Sequence, residues 1–213
     1  MLINARFTKT EEARFISHID LLRALGKTLR RAEIPVAFSQ GFNPHMLVNL
    51  SAPLALGIAS VAEYLTVHLK TPLSPADFST AFNAVSPTGI RIIEAKLTDK
   101  NQNYAANIAF AEYKIPCKNA EKISALDLKN MRISYTQKGE QQTKEVGTLI
   151  NSLSAGDSTE GKTLTAVLSA GNTPLRPDRF FTTLYKDYSA ELAPFSALRT
   201  RQFDKNMQEV TLG

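Results

Sequence analysis

One cysteine, Cys117, is too few for an internal disulfide and too few to build a Cys-based metal or iron–sulfur site. A thiol of this kind is expected to pack near a strand end, with a nucleophilic role as the alternative. Three histidines, His18, His45 and His68, do not make a His-rich metal tract. No apolar run reaches the roughly 20 residues that a membrane span needs. Residues 1–6 show neither an apolar signal-peptide core nor a cleavage site, so a cytoplasmic protein without membrane contact is expected. Also missing are a Gly-Lys-Thr/Ser phosphate loop, a dinucleotide fingerprint, a His-Glu-x-x-His pair and a Gly-x-Ser-x-Gly elbow. Common nucleotide-dependent and hydrolytic chemistries are thereby disfavoured.

The 213 residues suffice for one large domain or two small ones, and 43% hydrophobic with 21% charged residues is globular rather than disordered composition. The net charge of +5 leans towards an anionic partner such as RNA, with the distribution of charge mattering more than the total.

Hydrophobic periodicity orders the first half. A strand over 2–8 carries Ile3, Ala5 and Phe7 on one face. A helix over 17–32 starts at the N-cap Ser17, with Asp20 three residues on. Ile19, Leu22, Leu25, Leu29 and Ala32 are expected on its apolar side, and Arg23, Lys27, Arg30 and Arg31 on a basic outer face. Pro35 ends this helix, and 36–38 and 47–51 are extended around a turn at 39–44. A strand over 62–70, a helix opened by Ser74-Pro75 and a strand at 90–93 complete the series. The order β-α-β-β-α-β is the ferredoxin-like arrangement, here over 1–98. A polar linker follows at 99–106. Residues 107–213 read as a second, looser α+β domain of the same class with an insertion. In it, 144–154 is ambiguous between strand and helix, and 156–161 is expected to be a mobile loop.

Several residues could carry chemistry. The α-helical cations Arg23, Lys27, Arg30 and Arg31, preceded by Arg14, suit a phosphate backbone, or are simply a solvated stripe. A neutral imidazole at His18 could act as base, ligand or hydrogen-bond donor, while Asp20 is most simply a helix-start charge. His45 follows the turn, and two histidines with one carboxylate could serve a divalent metal only if they converged, so no metal is assigned. The 39–45 loop offers Gln40, Asn43 and His45 beside Phe42, an aromatic that either stacks on an unpaired base or plugs the core. Glu63 is an acid or base candidate without an identified partner. Arg176 and Arg179 near a helix start, and Arg199 with Arg201, are weaker basic pairs.

Taken together, 14–20, 29–32, 35–45, Pro53-Leu54 with Gly57, and Ser60 with Glu63 resemble the radical-SAM-linked protein family, a bacterial domain of unknown function. The resemblance is specific over 14–64 and loose beyond it. Met46-Leu47 replace a frequent Pro-Lys-like pair, and Thr66 stands where Asp is common. The resemblance implies a radical SAM partner that carries an iron–sulfur cluster and S-adenosylmethionine, with no cofactor bound by this chain.

The leading expectation is therefore an accessory or substrate-recognition module for a radical SAM enzyme acting on RNA (tRNA or rRNA). It would contact RNA through Arg14, Arg23, Lys27, Arg30, Arg31, Gln40, Phe42, Asn43 and His45. One alternative is an endoribonuclease-like enzyme using His18 and His45, with Asp20 and Glu63 as further candidates. Another is a protein–protein scaffold for the radical SAM partner that touches no nucleic acid.

Overall fold

A computed structural model describes residues 1–159 and 161–213, and it is a mixed α+β protein with mostly antiparallel strands. The chain divides into two compact units, 1–107 with 210–213, and 108–209.

The first unit runs β1 (Leu2–Lys9), a 3-10 turn (Glu11–Phe15), α1 (His18–Arg31), β2 (Val48–Leu50), β3 (Ala59–His68), α2 (Pro75–Val85), β4 (Ile92–Thr98) and α3 (Tyr104–Asn107). β1 pairs with β3 on one side and β4 on the other, both antiparallel. β2 pairs antiparallel with Leu65–Val67, on the edge of β3 away from β1. The strand order is thus β4-β1-β3-β2.

Both helices start on the same chemistry. Ser17 and Ser74 each accept the backbone N–H three residues on, at 3.1 and 3.0 Å, and each hydroxyl donates to the aspartate there, Asp20 or Asp77. Satisfying an otherwise orphaned helix N–H in this way is worth about 1 kcal/mol per helix. Leu21, Leu25 and Leu29 of α1, with Phe78 and Phe82 of α2, bury against Ile3, Ala5 and Phe7 of β1 and Leu65 and Val67 of β3. Each large side chain removed from water contributes about 1.5–3 kcal/mol.

The opposite face of this sheet is also covered. Tyr104 stacks on Tyr64 with ring centroids 4.9 Å apart, and the Tyr64 hydroxyl donates to the Val210 carbonyl at 2.9 Å. Thr66 donates to Asn4 at 2.7 Å, and Asn4 donates to the Leu212 carbonyl at 3.0 Å. The segment expected as a linker at 99–106 is therefore partly helical, and its Tyr104 is a buried core residue.

The second unit runs β5 (Phe110–Pro116), α4 (Ala120–Ser124), β6 (Arg132–Gln137), β7 (Glu140–Glu145), β8 (Ile150–Ser158), β9 (Gly161–Ser169), α5 (Pro177–Asp187) and β10 (Leu198–Phe203). Its sheet has the order β10-β5-β9-β8, antiparallel throughout. The β6-β7 hairpin pairs only with itself among the described residues. With that hairpin set aside, first, second, third and fourth strands occupy the same relative places as in the first unit.

Two further expectations need correction, and one ambiguity is resolved. Ile19 and Leu22 are not core residues, being 63% and 42% exposed, and Leu21 and Thr28 are buried in their place. Thr28 tolerates burial because its hydroxyl donates to the Ala24 carbonyl at 2.9 Å. The ambiguous 144–154 stretch is the end of β7, a 3-10 turn (Gly147–Leu149) and the start of β8. Most of the loop expected at 156–161 is paired, with Gly156 opposite Thr163 and Ser158 opposite Gly161, while Glu160 lies outside the described residues. The Ser158 hydroxyl closes this hairpin on the Gly161 carbonyl at 3.0 Å, and Lys162 ties it to Asp157 and Glu121 at 3.0 and 2.8 Å.

Candidate nucleic-acid interface

α1 presents three surfaces, set by its 100° advance per residue. One is the buried stripe. A second, at His18, Leu22 and Gly26, repeats every four residues and faces β2 and the chain just before it. An added Cβ at Gly26 would lie 3.9 Å from the Met46 sulfur. The third is the outer row of Arg23, Lys27 and Arg30, all exposed.

The basic residues differ in how far they are already engaged. Arg23 forms an exposed 3.1 Å ion pair with Asp20. Hydrogen bonds from Ser17 and then Arg23 hold the Asp20 carboxyl below its ordinary value. Arg31 donates to the Thr28 hydroxyl at 3.2 Å and to the Val85 carbonyl at 2.9 Å. Val85 is the last residue of α2, so the exposed Arg31 already caps a helix end. Arg14 is half-buried, and its guanidinium sits 4.8 Å from the Phe15 ring centroid. The side chains of Lys27 and Arg30 have no ion-pair or hydrogen-bond partner among the described residues.

The loop at 39–45 leaves the fold beside Gly26. Phe38 and Met46 bridge its base, and Leu47 donates to the Ala37 carbonyl at 2.9 Å. Ser39 and His45 then close it. The Ser39 N–H donates to the His45 carbonyl at 2.9 Å, the His45 N–H donates to Ser39 Oγ at 3.1 Å, and Ser39 Oγ lies 2.9 Å from His45 Nδ1. Gly41 has φ +124°, which a residue with a Cβ rarely adopts. Beyond this clasp Gln40, Phe42 and Asn43 are exposed, and the Phe42 ring is wholly in solvent. Phe42 therefore does not plug the core.

The catalytic candidates are dispersed in role. His45 is part of the loop clasp, and Asp20 is engaged with Ser17 and Arg23. Glu63 is buried within β3, where it pairs in register with Phe7. His18 lines a cleft of about 310 Å3 with Leu22, Asn49, Asn101, Asn103 and Tyr104. His45, Asp20 and Glu63 are not among the described residues that line it. Among the described residues no three His, Cys, Asp or Glu side chains gather as a metal site.

That cleft was not legible in the sequence as a site. The run Asn101-Gln102-Asn103 reads as linker composition, and only pairing of β2 with β3 and burial of Tyr104 bring it opposite α1.

In the second unit the four arginines singled out in the sequence are buried or engaged. Arg176 forms a two-pronged pair with Asp178 at 3.1 and 2.7 Å. Arg179 lies 3.8 Å from the Tyr135 ring centroid. Arg199 is buried, and Arg201 holds Glu112. Cys117 is buried just past β5, its thiol pushed up by burial. No helix among the described residues is long and apolar enough to cross a membrane.

A family model described as an uncharacterized protein conserved in bacteria (DUF2344) matches residues 3–177. No curated protein matches the chain.

Proposed function

The chain belongs to the uncharacterized bacterial family DUF2344, and we propose that its first unit is an RNA-recognition module that presents substrate to a separate enzyme. The observation that carries this reading is the pairing of Lys27 and Arg30, cations without partners among the described residues, with a clasped loop that holds Phe42 in solvent. Cations of this kind neutralise phosphates and release counterions. An exposed aromatic on a constrained loop gives an unpaired base a face to stack on.

We read both units as ferredoxin-like, the second with the β6-β7 hairpin inserted. The shared strand order supports this. The enzyme served would be a radical SAM protein with its iron–sulfur cluster and S-adenosylmethionine. That part rests on the resemblance of 14–64 alone. A cytoplasmic setting goes with it.

The test is binding of single-stranded RNA by fluorescence anisotropy across a salt series. Wild-type protein should bind with an affinity that falls as salt rises, and K27A/R30A should bind more weakly with a shallower slope. Equal affinity of the two proteins at low salt would sink the reading.

A scaffold for a protein partner has one observation in its favour. Phe15 and Ile19 are 59% and 63% exposed at the start of α1. Under that reading the radical SAM protein co-purifies with this chain, and Ile19→Asp breaks the complex while no RNA is retained at low salt. The ribonuclease reading would need His18 and His45 to act together. No described contact joins them.

A further inference from the structure

The cleft beside α1 has a lining suited to one class of ligand. The polar residues along it include His18, Asn49, Asn101 and Asn103. Leu22 and Tyr104 supply apolar and aromatic wall. No Lys, Arg, Asp or Glu lines it among the described residues. A metal ion would find no carboxylate or thiolate there, and a phosphate or carboxylate no lysine or arginine. Carboxamides present a donor and an acceptor side by side, the pattern that matches the edge of a nucleobase. The volume of about 310 Å3 sits at the lower end of small-ligand sites, roomy enough for a single heterocycle.

Two further features bear on the site. Tyr104 is held in place by its stack on Tyr64, and its buried hydroxyl has no hydrogen-bond partner among the described residues. Burial, then the neighbouring Tyr64 and Glu94, push that hydroxyl well above its ordinary value, so it remains a donor. On α1, Leu22 of the cleft wall is followed directly by Arg23, the first residue of the exposed cationic row. Arg23 thus lies one step of about 100° around α1 from the cleft wall.

We infer that this cleft is a base-reading pocket that takes one unstacked nucleobase from the bound strand through the Asn49, Asn101 and Asn103 carboxamides and His18. The inference rests on the RNA reading above and adds to it a source of sequence preference that the cationic row cannot supply.

The experiment uses the full chain, isotopically labelled for NMR, and the four ribonucleosides adenosine, guanosine, cytidine and uridine, with ribose 5-phosphate as the anionic control. At least one nucleoside should shift the side-chain amide signals of Asn49, Asn101 and Asn103, and ribose 5-phosphate should leave them in place. Asn49→Leu and Asn103→Leu should each weaken that nucleoside about tenfold, with the rest of the spectrum unchanged as proof of folding. If no nucleoside moves these signals in the wild-type protein at millimolar concentration, the pocket is overturned. A parallel RNA titration separates the two ideas. RNA binding without any nucleoside response overturns the pocket alone. Nucleoside shifts confined to the cleft without RNA binding support the pocket and overturn the RNA reading.

Discussion

Ser39 and His45 close a seven-residue loop by three contacts, two to the backbone of His45 and one to its ring, and Phe42 stands at the free end of that loop. The clasp fixes where the aromatic ring sits without burying it. Its worth to folding is small, because every group in it is close to water. Under the proposed RNA recognition, its worth to binding would lie in holding the loop backbone in place before a ligand arrives.

Phe42→Ala should therefore leave the melting temperature unchanged and weaken single-stranded RNA by about 1–3 kcal/mol, the usual contribution of one stacked base. Ser39→Ala should weaken RNA less, and the double variant should be no worse than Phe42→Ala alone. Anisotropy titrations of the four proteins measure that coupling. Additive losses would mean that the clasp does not act through the ring.

Arg30 and Arg31 are neighbours with different surroundings, only the Arg31 side chain being hydrogen-bonded among the described residues. Arg31→Ala removes the donor to the Val85 carbonyl and should lower stability by about 1 kcal/mol, read from chemical denaturation, with little effect on the salt slope. Arg30→Ala should do the reverse. A stability loss at Arg30 and none at Arg31 would contradict the assignment.

The α1 and α2 caps and the α+β alternation of the first half were legible because each rests on local chemistry: Ser-x-x-Asp starts, period-two strands and period-3.6 helices. The side of α1 that meets the sheet was not. Ile19 and Leu22 fit an apolar stripe as well as Leu21 does, and only tertiary packing against β1, β3 and α2 buries Leu21, Leu25 and Leu29 instead. Arg31 could not be separated from Arg30 because its partner, Val85, is 54 residues away. The amide-lined cleft was hidden for the same reason, since Asn49 and Asn103 meet only through tertiary packing.

Glu112 gives the second unit an acid-sensitive contact. Burial raises its carboxyl, but the hydrogen bonds from Arg201 and Thr200, the latter 2.6 Å long, outweigh burial and hold it below its ordinary value of 4.5. A carboxyl depressed in the folded state contributes stability above pH 4.5 that is lost as pH falls through the folded value. Wild-type protein should therefore lose melting temperature more steeply than Glu112→Gln below pH 4.5, and the variant should be the less stable of the two at neutral pH. Parallel acid profiles would show that Glu112 is not the group responsible.

The proposed recognition of RNA by α1 is tested most directly by the slope of log affinity against log salt for single-stranded RNA, wild type against K27A/R30A. Each lost phosphate contact should reduce the slope by about 0.7, so the double variant should show a slope shallower by roughly 1.4, with its melting temperature intact. Identical slopes in two equally folded proteins, or no RNA binding by the wild type at low salt, would contradict a role for this face in holding nucleic acid.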